Sequence, residues 1–282
     1  MRPASLIVLV ALAACSPRPT AQAGWEPVWR VGGLADPESV AASPDGRTLY
    51  VANVNGEADA RDGNGFISRL SPGGRMIERT WITGLDAPKG AVVAGDKLYV
   101  SDITRLVEID RNAGRITARY DAPGGKFLND VAVLPDGAPV VSDSQTARIY
   151  VLKEGRLSIW AEGPLLKGAN GLLPEPGRLL MITMGGKLLA FDYATRAPKV
   201  LADGLGLGDG LAPAGGGAYY ASEWPGRLYL IGPDGKVATL IDSRKVGVYI
   251  NDIARFRDEL LVPHMKPGEV VAYRAPKPAA RP

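Results

Sequence analysis

Six copies of one polar-then-apolar unit, about 40 residues apart, predict an all-β fold: a six-bladed β-propeller. The units begin at Glu38 (ESVAASPDGRTLYVANV), Lys89 (KGAVVAGDKLYVSDI), Asn129 (NDVAVLPDGAPVVSDS), Asn170 (NGLLPEPGRLLMITM), Asp209 (DGLAPAGGGAYYASEW) and Asn251 (NDIARFRDELLVPHM). Their first residues are 51, 40, 41, 39 and 42 positions apart. Short alternating runs at a fixed period near 40, separated by Gly-rich turns, are the mark of propeller blades.

Each unit parses into strands in the same order. A first strand, such as residues 131–134, meets a Pro-Asp-Gly or similar turn, and a second strand ends near Ser-Asp. Third strands follow at 66–70, 106–110, 148–152, 187–191 and 227–231, each closed by its own turn (SPGG, RNAG, KEG, YAT, GPDG). Fourth strands such as 115–120 and 236–241 complete these blades. The turn residues supply positive φ or a preset bend, which gives the hairpins a mechanism. In the sixth unit a third strand at 269–273 is the last, and an unassigned strand-like segment at 26–31 precedes blade one. That segment is expected to supply the missing outer strand, closing the ring and removing an exposed sheet edge.

Composition fits one large β domain: 46% of residues are hydrophobic and 22% charged, enough apolar mass for an extensive core. The net charge is only +3 and the basic residues do not cluster, which argues against a nucleic-acid partner. Residues 1–15 read as a signal peptide: Arg2, a short apolar run from Leu6 to Ala13, and small residues ending at Cys15. The run is too short for a stable membrane span. Leu12-Ala13-Ala14-Cys15 resembles a bacterial lipobox, so Cys15, the single cysteine, is expected to carry the lipid. Ser16 after it points by analogy to the outer membrane, on the periplasmic side of a bacterial cell envelope. Residues 16–25, rich in Pro and Ala, form a tether, 26–275 the propeller, and 276–282 a disordered tail. The expected molecule is a lipid-anchored monomer.

The first residue of each innermost strand falls at one mouth of the central channel. Around the ring these are Glu38, Lys89, Asn129, Asn170, Asp209 and Asn251. Two carboxylates with amide oxygens form a hard ligand set suited to Ca²⁺, with Mg²⁺, Mn²⁺ or Zn²⁺ able to take its place. The competing reading is that Asn-Gly, Asp-Gly and Asn-Asp only make turns. Each repeat already has its turn six to eight residues later, however, so a phased ring favours a site.

On these residues the chain resembles the senescence-marker/regucalcin/gluconolactonase family, six-bladed propellers more distantly related to paraoxonases and diisopropyl fluorophosphatase. That family holds a divalent cation with a Glu of the first blade, Asn residues of the third and fourth, and an Asp of the fifth. Glu38, Asn129, Asn170 and Asp209, in the strings PESV, LND, NGL and DGL, fall on those positions. The resemblance implies hydrolysis of a lactone or related ester, a small-molecule substrate, and Asp209 as ligand and catalytic base. Sugar-lactone members carry an Arg two residues before the third-blade Asn, where this chain has Phe127. The histidine pair of paraoxonase-type enzymes has no counterpart, because His264 is the single histidine.

Lys89 departs from the pattern, and three roles stay open for it. It can snorkel out or pair with Asp209 or Glu38, bind substrate, or stand in for the metal. Lys89, Asn251, Phe127, Trp224 and His264 are candidates for substrate contact, the last two on loops of blades five and six. The longest loop, residues 54–65, is a candidate lid. The alternative function is a non-catalytic envelope propeller that binds a ligand or protein through its loop face.

Overall fold

The computed structural model describes residues 20–21 and 25–274. The leader, Cys15, most of the tether and the tail lie outside the described residues. Six antiparallel sheets stand in a ring, and the four strands of blades one to five run from channel to rim in sequence order. Blade one is Pro37–Ala42, Leu49–Asn53, Gly65–Leu70 and Met76–Leu85. The innermost strands of blades two to five are Pro88–Ala94, Leu128–Val133, Ala169–Glu175 and Leu207–Gly215.

Blade six is assembled from both ends of the described chain. Its inner strand is split into Tyr249–Ile250 and Ala254–Phe256, and both pieces pair with Glu259–Lys266. Glu269–Arg274 follows, and Glu26–Gly32 adds the outer strand in register Glu26↔Arg274 to Gly32↔Glu269. The ring closes as the sequence predicts. The short strand Thr20–Ala21 pairs with the outer strand of blade five.

Burial follows position in the blade. Second strands are buried on both faces because blades pack face to face, and Leu179, Leu180, Met181 and Ile182 are all fully enclosed. Outer strands such as Arg115–Asp121 alternate exposed and half-buried residues, the period-2 signature of a half-solvated edge. The apolar core is correspondingly divided. Each of the six blade interfaces has its own cluster, for example Ile149, Trp160, Met181 and Phe191 between blades three and four. Hairpin turns use the expected chemistry: in Pro135-Asp136-Gly137, Gly137 adopts φ 84° and the Asp136 carboxylate accepts from the Ala138 amide at 3.1 Å.

Trp25, grouped with the tether in the sequence reading, belongs to the core. It is buried between blades five and six, edge-on to Tyr220 with ring centroids 5.4 Å apart. Trp25→Ala is expected to cost about 3–5 kcal/mol. A urea-denaturation midpoint unchanged from the parent would contradict this packing role.

Candidate functional site

The inner strands share a defect that builds the site. Pairing with the second strand slips between Pro37 and Val40, Pro88 and Ala91, Leu128 and Val131, Ala169 and Leu172, and Gly208 and Leu211. In blade six the inner strand is interrupted at 251–253. Each slip is a bulge that frees two consecutive residues from the ladder. The first of each pair is a ring residue: Glu38, Lys89, Asn129, Asn170 and Asp209, with Asn251 at the equivalent place. All six are buried, between 3% and 7% exposed. The second members are Ser39, Gly90, Asp130, Gly171, Gly210 and Asp252.

The second members explain how tightly the ring is drawn. A Cβ on Gly171 would overlap the Asp209 carbonyl, and one on Gly210 would overlap the Asp252 carboxylate and Ile253 amide. Only glycine lets neighbouring inner strands approach so closely. Hydrogen bonds then join blade to blade around the channel. Ser39 Oγ donates to the Lys89 carbonyl at 2.5 Å, Ser101 Oγ to that of Asn129, and Ser144 Oγ to that of Ala169 at 2.7 Å. Asn170 Nδ2 donates to Asp209 Oδ1 at 2.7 Å, the Ile250 amide to the Pro225 carbonyl at 3.2 Å, and Asn251 Nδ2 to that of Pro37 at 3.3 Å. Every junction of the six is bridged.

Polar side chains at the ends of the second strands hold the chain just before the ring. Asn53, Asp102 and Asp143 end the second strands opposite Pro37, Pro88 and Leu128. Their side-chain oxygens accept from the backbone amides of Ala35, of Asp86 and Ala87, and of Lys126 and Phe127 respectively. The Ser-Asp endings visible in the sequence are therefore struts for the ring residues.

Four carboxylates meet in the channel, two of them missed in the sequence reading. Asp130 and Asp252 line a cavity of about 570 Å³ that fills the channel beyond the ring, among apolar residues such as Val131, Leu172 and Leu211. Burial pushes Asp209 up to about 7, against a hydrogen bond from Asn170 that lowers it. Burial likewise pushes Asp130 up to about 7, with Asp209 adding repulsion, although the Leu172 and Val131 amides donate to it. Glu38 and Asp252 are raised well above the usual carboxylate range by burial and by the other carboxylates. The sequence signal for the missed pair was Asn-Asp at 129–130 and 251–252, where four blades have Ser or Gly in second place.

Lys89 makes no ion pair with Glu38 or Asp209. Its Nζ donates to the carbonyls of Ala58 at 2.6 Å and Ala87 at 3.2 Å, and lies 4.3 Å from the centre of the Phe127 ring. Burial lowers its pKa to about 8. Ala58 belongs to the long 54–65 loop, so Lys89 ties that loop down over the first two blades. Val54, Ala87 and Ile103 form a small apolar seat beneath it, with Met265 against them.

Two further candidates are placed differently from the sequence reading. His264 is not on a loop: it lies inside Glu259–Lys266, fully buried, with Nδ1 2.9 Å from Glu269 Oε1. Its Nδ1 is thus tied to the neighbouring strand of blade six, while its buried Nε2 has no hydrogen-bond partner. Trp224 ends the second strand of blade five and packs edge-on against Tyr249 of blade six at 5.1 Å.

Among the described residues no three His, Cys, Asp or Glu side chains gather into a metal cage. A cation here would draw on amides as well as carboxylates. Two buried oxygens, Glu38 Oε2 and Asn129 Oδ1, have no hydrogen-bond partner, an arrangement that costs about 1–3 kcal/mol per group if left unsatisfied. Orphaned acceptors beside ionisable carboxylates fit a hard cation. Asn170 is the exception, since it presents its amide nitrogen to Asp209 and would have to rotate to offer oxygen.

No protein-family model and no curated protein matches the chain. Solved structures do. A gluconolactonase from Xanthomonas campestris superposes with TM-score 0.67 at 17% identity, over 92% of this chain and 94% of that one. The virginiamycin B lyase of Staphylococcus aureus gives TM-score 0.61 at 14% identity, over 83% and 79%. A chain of a nidogen/laminin complex gives 0.62 at 18%, over 80% and 88%. These likenesses establish the six-bladed propeller fold.

Two expectations follow from the site's construction. Gly210→Ala, which forces blades five and six apart, should lower stability by about 2–4 kcal/mol, measured by urea denaturation; no loss would contradict the close approach. The raised carboxylates also set a pH dependence in metal-free protein. Their folded pKa values exceed the unfolded ones, so their contribution is complete below about pH 4 and lost as pH rises through about 7. Lys89, lowered to about 8, acts oppositely and costs stability as pH falls through that value. With several carboxylates against one lysine, the melting temperature should rise by roughly 5–10 °C from pH 8 to pH 5. Asp130→Asn should flatten that rise.

Proposed function

We propose that the chain is a divalent-cation-dependent hydrolase of a lactone or related ester, anchored in the cell envelope through Cys15. The observation that carries this reading is the pair of partnerless buried oxygens, Glu38 Oε2 and Asn129 Oδ1, in the same ring as Asp209. The likeness in fold to a gluconolactonase supports it.

Glu38, Asn129, Asn170 and Asp209 are the residues that would hold the cation, Ca²⁺ by the chemistry of the set. When bound, it would polarise the substrate carbonyl and stabilise the oxyanion formed on attack. Asp209 supplies the base. A bound cation would hold its carboxylate ionised, ready to accept a proton from attacking water and return it to the departing alkoxide. In the cation-free ring Asn170 fixes the orientation of that carboxylate through its 2.7 Å bond to Oδ1, a bond it would give up on turning its oxygen to the cation. In the balanced reaction, the water oxygen bonds to the carbonyl carbon, the acyl C–O bond breaks, and the alkoxide leaves as an alcohol.

A binding-only role is favoured by one observation. The Lys89–Ala58 bond holds the 54–65 loop over part of the mouth, as a ligand-gripping surface would require.

Calorimetric titration of Ca²⁺ into EDTA-stripped protein decides between them. Single-site binding, abolished in Asp209→Ala, is expected, together with lactone hydrolysis that appears only with the cation. In Asp209→Ala the turnover should fall by about 10²–10⁴. A product that gains the mass of one water identifies hydrolysis rather than elimination. Absence of binding and of turnover would leave the binding-only role.

A further inference from the structure

We infer that the cleft between blades three and four is the subsite for an alkyl chain on the substrate, so that the ester hydrolysed at the ring is lipophilic. This rests on the reading of the ring as a hydrolytic site. The cleft has a volume of about 420 Å³ and is lined by Ser144, Leu165, Lys167, Gly168, Thr183 and Met184, among others. Two large apolar side chains stand in it exposed, Leu165 at 43% and Met184 at 37%. Single exposed apolar residues are ordinary, but two sharing one cleft next to a buried polar site are a binding feature.

The walls are fixed. The Gly168 amide donates to the Ser144 carbonyl at 3.2 Å, and the Met184 amide to the Gly168 carbonyl at 2.8 Å. Gly168 adopts φ +73°, and a Cβ there would press on Met184 at 3.0 Å. Leu165 sits on the 3-10 turn Pro164–Leu166, whose last residue is buried in the interface core. Neither apolar side chain can therefore fold away by a shift of its backbone, and the surface remains open to a ligand.

Continuity with the ring comes through one residue. Ser144 lines the cleft, accepts from Asn129 Nδ2 at 3.1 Å and donates to the Ala169 carbonyl at 2.7 Å. It thus orients Asn129, whose Oδ1 is one of the orphaned ring oxygens. A carbonyl carried to the ring would leave its substituent beside Leu165 and Met184. The position two residues before Asn129 is Phe127, an aromatic ring under the Lys89 cation that offers no hydrogen bonds to a polyhydroxylated substituent. The exposed Lys167 on the cleft rim leaves room for an acceptor group along or at the end of the chain.

The test is a γ-lactone series with alkyl substituents from methyl to octyl. With Ca²⁺ bound, kcat/KM should rise up to about fourfold per methylene until the cleft is filled. Met184→Glu and Leu165→Lys should each flatten that dependence, lowering kcat/KM far more for the octyl lactone than for the methyl one. A flat series in the parent protein, or an undiminished slope in both variants, overturns the inference. A second readout separates this outcome from failure of the hydrolase reading. Binding of the octyl lactone to EDTA-stripped protein, followed by calorimetry, should exceed that of the methyl lactone by at least tenfold and lose this preference in Met184→Glu. Length-independent binding overturns the subsite even where hydrolysis is seen, and length-dependent binding lost in the variant supports it even where no lactone turns over.

Discussion

The propeller depends on how closely its inner strands are drawn together. A ring of six sheets has no central hydrophobic core of its own, since the apolar clusters lie between blades. At the channel wall, cohesion comes from backbone meeting backbone at the bulges. Gly171 and Gly210 lie against the inner strands of the next blade, where any side chain would collide. Ser39, Ser101, Ser144, Asn170 and Asn251 carry hydrogen bonds across to the next blade. Because these bonds are buried, losing one partner would leave a desolvated carbonyl or hydroxyl behind, which penalises any opening of the ring. The ring residues are thus positioned by the closure of the fold itself.

The same construction sets the chemistry. A bulge exposes two successive polar positions to the channel, so four carboxylates enter a volume from which most water is excluded. Desolvation and mutual repulsion then hold their protons to near neutrality or beyond, and Lys89, turned toward Ala58, offsets only part of the charge. In the function proposed above, a cation would relieve this repulsion, and the orphaned oxygens on blades one and three are where it would be held.

The fold was legible because repetition averages over local ambiguity. One strand read alone is weak evidence, but six copies in phase put third strands within a residue or two of their observed bounds, as with 66–70 against Gly65–Leu70. The ring residues were legible for the same reason. Asp130 and Asp252 were not, because simple strand alternation assigns i and i+1 to opposite faces and the bulge breaks that rule. His264 was misplaced because the second strand of blade six, Glu259–Lys266, runs on through Pro263 and His264 where a loop was expected. In the structure the Pro263 nitrogen needs no partner there, while its carbonyl still accepts from the Asn251 amide at 3.2 Å. The lysine's partner was beyond reach of sequence reasoning, since Ala58 is 31 residues away in a loop with no regular pattern.

The mouth of the channel is unequal on its two sides, and this inequality orients any ligand. Over blades one and two, the 54–65 loop rests on Val54, Ala87 and Ile103 and is bonded to Lys89, Thr104 and Asp86. Over blades three and four the connections are short and hug the blades, leaving the cleft of Leu165 and Met184 open to solvent. On the loop side the Lys89–Ala58 bond ties the ordered loop to the ring; on the cleft side Asn129, Asn170 and Asp209 are as deeply buried, but no long loop is bonded to them. In the proposed reading, entry from blades three and four would bring a polar head to Asn129 and Asn170 first, with Asp209 on the next blade, and leave the apolar remainder in the cleft. In that reading, the insertion that lengthens the first repeat, bonded to Lys89, Thr104 and Asp86, would select the direction from which the ring is approached.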